Sequence, residues 1–160
     1  MTMRKANAAH ESEKLSEQFS TFFVEDLFFG VDVLQVQEVL KSQPMTPVPQ
    51  APGVIEGLIN LRGQIVTAID MRRRLTLPPR PVELSPMNIV VRTGDGAVSL
   101  LVDEIGDVIE VSASDFEASP ANLTPIAKEI IRGVYKLKDR LLLVLDAERA
   151  VDLATGNNAR

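Results

Sequence analysis

Carboxylates are the side chains of this sequence best suited to acid–base chemistry, since it has no cysteine and one histidine, His10. Two acids can act as general acid and general base when they converge on one pocket. The candidate acids are Glu25, Asp26, Asp70, Asp103, Glu104, Asp107 and Asp146. Neighbouring acids in a strand or tight turn point in different directions, so Glu25-Asp26 and Asp103-Glu104 are predicted to be solvated turn residues. Asp70 and Asp146 follow apolar runs and are predicted to cap short helices.

No catalytic motif accompanies these acids. The sequence has no phosphate-binding glycine loop, no HExxH and no nucleophile elbow. The absence of cysteine excludes disulfides and thiolate metal sites, and His10 has no evident local partner to orient it. We therefore predict no catalytic residue, no metal ligand and no cofactor. The enzymatic alternative is a small acid-dependent hydrolase, which needs two carboxylates in one pocket.

Composition limits the class of protein. The chain has 160 residues, a net charge of −5 and a pI of about 4.9, which argues against a nucleic-acid partner. No apolar run approaches the roughly 20 residues that cross a bilayer, and residues 1–17 lack the apolar segment of a signal peptide. We expect a cytoplasmic protein that does not insert into membranes, with an aliphatic core, because it has no tryptophan and one tyrosine.

Short apolar runs separated by turns predict a mostly β fold. Strands are predicted over 19–24, 27–31, 65–69, 87–91, 97–102, 108–111, 133–137 and 141–145. The prolines at 44–52 favour an extended crossing whose residues 45–48 lie at a sheet edge, and residues 126–131 are compatible with either helix or strand.

Helical spacing predicts a helix over 54–62 that ends at Gly63. Asp32 is predicted to cap a helical turn that extends to Leu40, and Asp70 and Asp146 to cap helices at 71–75 and 147–153. The apolar positions that give these patterns are Val33, Val36, Leu40, Val54, Ile55, Leu58 and Ile59.

The predicted organisation is one domain with two similar lobes. Residues 1–17 are a flexible lead-in and residues 154–160 a tail; the domain covers 18–153. Its lobes span about 18–82 and 83–146, followed by a closing helix at 147–153. Each half has an early hairpin and a later apolar strand that ends in aspartate before a short helix, which is a weak internal repeat.

Arginines present two patterns. Arg62 places an always-charged, rigid guanidinium at the corner of an otherwise apolar unit, which suits recognition of a partner; the alternative is a surface side chain whose stem covers apolar neighbours. Arg72-Arg73-Arg74 is predicted to be a solvated face, since three charges are too few for a nucleic-acid patch on an acidic protein.

Four segments together resemble one family. They are residues 47–66 (PVPQAPGVIEGLINLRGQIV), Phe29-Gly30-Val31 with Val36-Gln37-Glu38, residues 101–108 (LVDEIGDV) and residues 139–146 (DRLLLVLD). In this order and at these intervals they resemble the CheW family of chemotaxis coupling proteins, from about Gln18 to Leu153.

The resemblance implies two SH3-like five-stranded β-barrels with a few short helices, and a non-catalytic adaptor. Its implied partners are the cytoplasmic tip of methyl-accepting chemotaxis receptors and the regulatory domain of the histidine kinase CheA. The receptor would lie in a groove between the lobes, and the kinase would pack on the first lobe. The matching contact positions are Val36, Glu38, Gly57, Arg62 and Val108; core packing is the alternative for Val36 and Val108.

Two departures from the family pattern concern partner preference. Thr67 stands where the family often has proline, and Glu56 where a basic residue is common. The alternatives within the family are a coupling protein for twitching or development, and a domain of a kinase or coupling–receiver fusion. The polar lead-in and tail favour a free-standing protein, recruited from the cytoplasm to membrane receptor arrays.

Overall fold

A computed structural model describes residues 16–118 and 123–153 of the chain. His10, most of the predicted lead-in and the predicted tail lie outside these residues.

The described chain is mostly β, as predicted. Its strands are β1 (Ser16–Val24), β2 (Leu27–Asp32), β3 (Val36–Leu40), β4 (Ile55–Leu61), β5 (Gln64–Asp70), β6 (Met87–Thr93), β7 (Gly96–Val102), β8 (Glu104–Ser112), β9 (Phe116–Glu117), β10 (Ile131–Lys136) and β11 (Leu141–Leu145). Its helices are α1 (Met71–Arg74), α2 (Pro125–Ile130) and α3 (Ala147–Val151), with 3-10 turns at Val33–Gln35 and Ala113–Asp115.

The strands form two sheets. One has six strands in the order β8-β1-β2-β11-β10-β9, and the other has five in the order β3-β6-β7-β5-β4. Each sheet contains one parallel pair, β11 with β2 and β5 with β7, among antiparallel neighbours. The first sheet has one strand more than the five that the resemblance implies for each barrel, because the two-residue strand β9 extends it.

Strand pairing crosses the predicted division near residues 82 and 83. The hairpin β1–β2, from the first half of the chain, lies in the same sheet as β8, β9, β10 and β11. The hairpin β6–β7, from the second half, lies in the same sheet as β3, β4 and β5. Four strand pairs cross the division: the parallel pairs β2–β11 and β5–β7 and the antiparallel pairs β1–β8 and β3–β6. Hydrogen bonding thus groups the strands differently from two contiguous lobes.

Alternation along the strands explains three apolar clusters. In β6, Ile89 and Val91 face a large cluster shared by both sheets, while Val90 faces a smaller cluster within the five-stranded sheet. In β11, Leu143 and Leu145 face the shared cluster, whereas Leu142 and Val144 face a third cluster within the six-stranded sheet. Successive strand side chains point to opposite faces, so both faces of each central strand are buried.

The predicted helix over 54–62 is wrong. Ile55–Leu61 is strand β4, paired antiparallel with β5, and Gly57, Ile59 and Leu61 are buried at a period of two. The β-branched residues fit a strand, and pairing with β5 overrides the helical spacing. The extension of the Asp32-capped turn to Leu40 is also wrong, because the turn ends at Gln35 and β3 follows.

Candidate partner-binding surface

Glu38 and Arg62 meet across the two edges of the five-stranded sheet. Glu38 lies in β3, Arg62 lies in the turn between β4 and β5, and the Arg62 guanidinium donates to the Glu38 carboxylate. Beside them, Gln37 Nε2 donates to Gln64 Oε1 at 3.4 Å. Since β3 and β4 are the outermost strands of this sheet, these contacts bring its edges together.

A tight hairpin turn fixes the position of Arg62. Arg62 and Gly63 are its two central residues, and both have positive φ, 51° and 88°. Positive φ at both positions is characteristic of a type I′ turn, whose twist matches the flanking strands. Asn60 Oδ1 accepts a hydrogen bond from the Gly63 N–H at 3.0 Å. Gly63 therefore supplies the turn of a hairpin and not, as predicted, the end of a helix.

Exposed aliphatic side chains lie close in sequence to this ion pair. The Arg62 side chain is 75% exposed, whereas that of Glu38 is 18% exposed. Val39 follows Glu38 in β3 and is exposed, and Ile65 near the start of β5 is 62% exposed. We call Glu38, Val39, Arg62 and Ile65 the charged rim. An exposed guanidinium and exposed aliphatic side chains are residue types that interfaces use.

Gly57 has a packing role in this fold. It is buried in β4, and a Cβ there would lie 2.8 Å from the backbone oxygen of Thr46 and 3.1 Å from Met45 Cβ. Thr46 pairs with Leu58 through N–H···O bonds of 2.9 and 2.8 Å, so residues 45 and 46 follow the β4 edge as predicted. The missing side chain lets the proline-rich crossing cover that edge.

Val36 and Val108 lie in different surroundings. Val36 is half-buried against the shared cluster and pairs with Val91, which fits the core-packing alternative. Val108 lies in β8, at the edge of the other sheet, and is 56% exposed. The structure therefore brings Glu38 and Arg62 into contact and places Val108 in a different sheet. The roles of all five residues toward partners stay predictions.

The two departures from the family pattern occupy defined positions. Thr67 is in β5 between β4 and β7, where it pairs with Leu58 and Val98. Glu56 faces Arg73, with 3.5 Å between the Glu56 Oε2 and Arg73 NH1 atoms. The acid at residue 56 is thus matched by a base within the chain.

The arginine run is not a solvated face. Arg72 and Arg74 are buried, and only Arg73 is substantially exposed. Arg72 NH2 and Arg80 Nε each donate to the Asp103 carboxylate at 2.7 Å, and Arg80 NH2 lies 3.4 Å from Asp70 Oδ1. Spacing could not reveal this cluster, because its members are joined only through the tertiary fold.

Asp103 is also a buried ion-pair partner and not, as predicted, a solvated turn acid; its side chain is 8% exposed. Burial acts to raise the pKa of its carboxyl. Hydrogen bonds from Arg72, from the Glu25 backbone N–H and from Arg80 outweigh that effect and hold the pKa below its ordinary value. The hydrogen bond to Asp103 raises the pKa of Arg72.

This geometry bears on the hydrolase alternative. Asp70 and Asp103 do converge, but on Arg80, and their oxygens accept from guanidinium groups. A general acid at neutral pH needs a raised pKa, whereas the pKa of Asp103 is lowered. Asp70 and Asp103 therefore belong to an ion-pair cluster that joins chain segments.

In residues 16–118 and 123–153, no helix is both long and apolar enough to span a bilayer. The same residues contain no group of three or more histidine, aspartate or glutamate side chains arranged to hold a metal ion.

A sequence model of the CheW-like domain matches residues 18–154. The chain belongs to the CheW family. It is 33% identical to the chemotaxis protein CheW of Bacillus subtilis over 146 residues, which are 91% of this chain and 94% of that protein. It is 32% identical over 139 residues to the chemotaxis protein CheW of Treponema pallidum, covering 83% and 82% of the two chains.

A solved structure agrees with the fold of this CheW-family chain. The crystal structure of the scaffolding protein TtCheW from Thermoanaerobacter tengcongensis aligns with a TM-score of 0.77 at 27% identity. The alignment covers 85% of this chain and 92% of TtCheW. The resemblance read from the four sequence segments is confirmed, as is the mostly β architecture.

Proposed function

We propose that this chain is a non-catalytic adaptor that couples chemoreceptors to the histidine kinase CheA in chemotaxis signalling. The observation that carries the proposal is the match of the CheW-like domain to residues 18–154. The relatives described above are named chemotaxis protein CheW, and the alignments cover most of their length. The adaptor works in the cytoplasm and is recruited to membrane receptor arrays. It binds the cytoplasmic tip of a methyl-accepting receptor and the regulatory domain of CheA.

The charged rim supplies a physical mechanism for specificity. Val39 and Ile65 offer exposed apolar area, and burial of such area provides most of the affinity in an interface. Arg62 and Glu38 select the register and the partner, because charges at an interface edge act more on specificity and association rate than on affinity. The hairpin turn holds Arg62 in place without partner binding.

Reversal of the Arg62 charge tests the proposal. Arg62→Glu places a second carboxylate beside Glu38 and reverses the charge offered to a partner. We expect the affinity for a receptor cytoplasmic fragment or for the kinase regulatory domain to fall about tenfold, ~1.4 kcal/mol. Isothermal titration calorimetry with each partner measures the change, and thermal unfolding checks that the fold is retained.

Arg92→Glu is the matched control, because Arg92 is exposed in β6 and takes the same charge change. The double variant Glu38→Arg with Arg62→Glu restores an ion pair of reversed direction. Recovery of binding would mean that the pair acts by holding the sheet edges; continued loss would mean that Arg62 itself contacts the partner. Unchanged affinity of Arg62→Glu for both partners would contradict the proposed site.

A further inference from the structure

A cavity of about 610 Å³ lies where three segments of the chain meet. Its walls are residues 25–27 in the β1–β2 hairpin, residues 75–77 after α1, and residues 123–127 at the start of α2. Small-molecule sites in proteins usually enclose about 300–1,000 Å³. The cavity therefore has the size of a small-molecule site, and both halves of the chain contribute to it.

This cavity is separate from the five family contact positions, since none of those five residues lines it. Val108 pairs with Ser20 in the middle of β1, roughly 15 Å of extended chain before the turn of the β1–β2 hairpin. Val36 follows the opposite end of that hairpin. A ligand in the cavity would thus lie away from the surfaces that the family resemblance assigns to the receptor and the kinase.

The floor of the cavity belongs to the core. Leu75 and Ala127 are each 4% exposed and are part of the cluster shared by the two sheets. Leu27, Leu77 and Leu123 are half-buried against the same cluster. A molecule in the cavity would cover these leucine side chains, and removal of apolar area from water favours binding. The ligand should therefore have an apolar body.

Both charged residues that line the cavity are acids. The Asp26 carboxylate is exposed and forms no ion pair or hydrogen bond within residues 16–118 and 123–153. Glu25 is partly compensated, since its Oε2 atom lies 4.0 Å from Arg72 NH1. No lysine or arginine is among the lining residues of the described chain. The field at the cavity therefore attracts an ammonium group and repels a carboxylate.

Thr76 has an unusual backbone conformation at the cavity wall. Its N–H donates to the Arg73 carbonyl at 3.1 Å, and the Leu77 N–H donates to the Arg72 carbonyl at 2.7 Å, a pattern that commonly ends a helix at glycine. Thr76 has φ of 58°, which is rare for a β-branched residue and free of strain for glycine. Its hydroxyl forms no hydrogen bond within the described ranges. The backbone alone would favour glycine here, so the threonine side chain is available for contact with a ligand.

We propose that this cavity binds a small organic cation, a molecule with an aromatic or aliphatic body and one ammonium group. The body lies on Leu27, Leu77 and Leu123, the ammonium group faces Asp26, and the Thr76 side chain contacts the ligand at the cavity wall. A strand or helix of a partner needs an extended groove, whereas this cavity is closed on three sides. The site goes beyond the adaptor role proposed above and rests on the cavity alone, so either proposal can fail without the other.

The test uses the full chain, labelled with ¹⁵N, and phenylbutylamine as the probe. Phenylbutanol and phenylbutyrate have the same number of carbon atoms with a neutral hydroxyl and a carboxylate in place of the amine. We expect saturable amide shift changes in the three wall segments. The amine should bind about threefold more tightly than the alcohol and about tenfold more tightly than the carboxylate, in line with the strength of exposed charge pairs.

Two variants locate the site. Asp26→Asn should weaken the amine about threefold and leave the alcohol unchanged, and Asp95→Asn is the matched control, since Asp95 is an exposed acid in a different hairpin turn. Thr76→Gly should weaken the amine and the alcohol alike, about twofold, while the melting temperature stays the same or rises, because glycine suits the positive φ. Weaker binding without lower stability separates contact with a ligand from a role in folding.

Four results would overturn the inference. The first is no saturable shift change in the wall segments with the amine, and the second is equal affinity for the amine and the carboxylate. The third is an Asp26→Asn variant that binds the amine as tightly as Asp95→Asn does. The fourth is unchanged affinity for both the amine and the alcohol in Thr76→Gly, which would remove the cavity wall from the site.

Discussion

The Asp103 carboxylate accepts hydrogen bonds from two arginines and one backbone N–H. Arg72, Arg80 and the Glu25 N–H all donate to its carboxylate, and Arg72 also donates to the carbonyl oxygens of Pro78 and Pro79 at 3.0 and 3.2 Å. The cluster therefore joins the β1–β2 turn, the end of β7 and the segment after α1. Charges so well enclosed contribute when complete and cost heavily when one partner is lost.

Replacement of Asp103 tests this account. Asp103→Asn removes the carboxylate that Arg72 and Arg80 share and leaves them only the longer carboxylate contacts to Glu25 and Asp70, at 4.0 and 3.4 Å. We therefore expect a loss of about 3 kcal/mol in the free energy of unfolding. Urea denaturation at neutral pH measures it. Asp95→Asn, which changes an exposed acid in the β6–β7 turn, should change stability by less than about 0.5 kcal/mol. Equal effects of the two substitutions would contradict the role given to Asp103.

Low pH should remove the stability that the ion pairs of Asp103 contribute. The pKa of Asp103 is lower in the folded chain than in the unfolded chain, so the unfolded state binds more protons as the pH falls below about 4. The contribution is fully present at neutral pH and is lost as the pH falls through the folded-state pKa. Urea denaturation at a series of pH values from about 7 to about 3 should show a steeper acid loss in the parent than in Asp103→Asn. Parallel curves would refute the assignment.

Gly57 is a predicted partner-contact position, but in this fold it packs against Thr46. The two roles predict different effects of substitution. Gly57→Ala should destabilise the protein by about 1–3 kcal/mol, because the new Cβ meets the Thr46 backbone. Gly53→Ala is the control, since nothing lies within 4 Å of a Cβ there. Calorimetric melting temperatures compare the two. If Gly57→Ala weakens partner binding without any drop in melting temperature, Gly57 acts by direct contact and the packing account is incorrect.

At the scale of elements, one substitution in the β4–β5 hairpin can remove the charge of Arg62 and still suit the backbone conformation of the turn. Arg62 adopts φ of 51°, a conformation that asparagine tolerates better than arginine. Arg62→Asn should therefore keep or slightly raise stability, by up to about 1 kcal/mol, while it removes the ion pair with Glu38. Partner affinity should fall, as for Arg62→Glu. A clear fall in thermal stability would show instead that the ion pair is needed to hold the sheet edges.

Local patterns predicted the elements that local chemistry determines. The hairpins β1–β2, β6–β7 and β10–β11, and the caps at Asp70 and Asp146, follow from alternation, turn residues and capping side chains. Strand β4 was missed because Val54, Ile55, Leu58 and Ile59 also satisfy helical spacing, and its partner β5 is reached only through the turn. Ile131 shows the same limit, since it ends a helix and begins β10.

The candidate site was predicted only in part. The family resemblance indicated both Glu38 and Arg62, but no spacing rule brings residues 24 positions apart into contact. The Arg72–Asp103 cluster was missed for the same reason, because β6 and β7 intervene between its members. Long-range contacts of this kind depend on how the sheets exchange hairpins, which a single sequence pattern does not encode.

At the scale of the whole molecule, the exchanged hairpins make the two halves interdependent. The first half holds β3, β4 and β5 without the β6–β7 hairpin that lies between β3 and β5. A fragment of residues 1–82 would also expose its share of the common cluster. We expect it to show no cooperative thermal unfolding by circular dichroism. A fragment that unfolds cooperatively, with dispersed amide resonances, would show instead that residues 1–82 fold as a lobe of their own.

The central claim is that this chain binds two macromolecules at once. The most direct measurement is analytical ultracentrifugation of the chain with a receptor cytoplasmic fragment and the CheA regulatory domain, singly and together. We predict a binary complex with each partner and a larger species containing all three when they are mixed. Competition between the two partners for one site, or no complex with either, would contradict the claim.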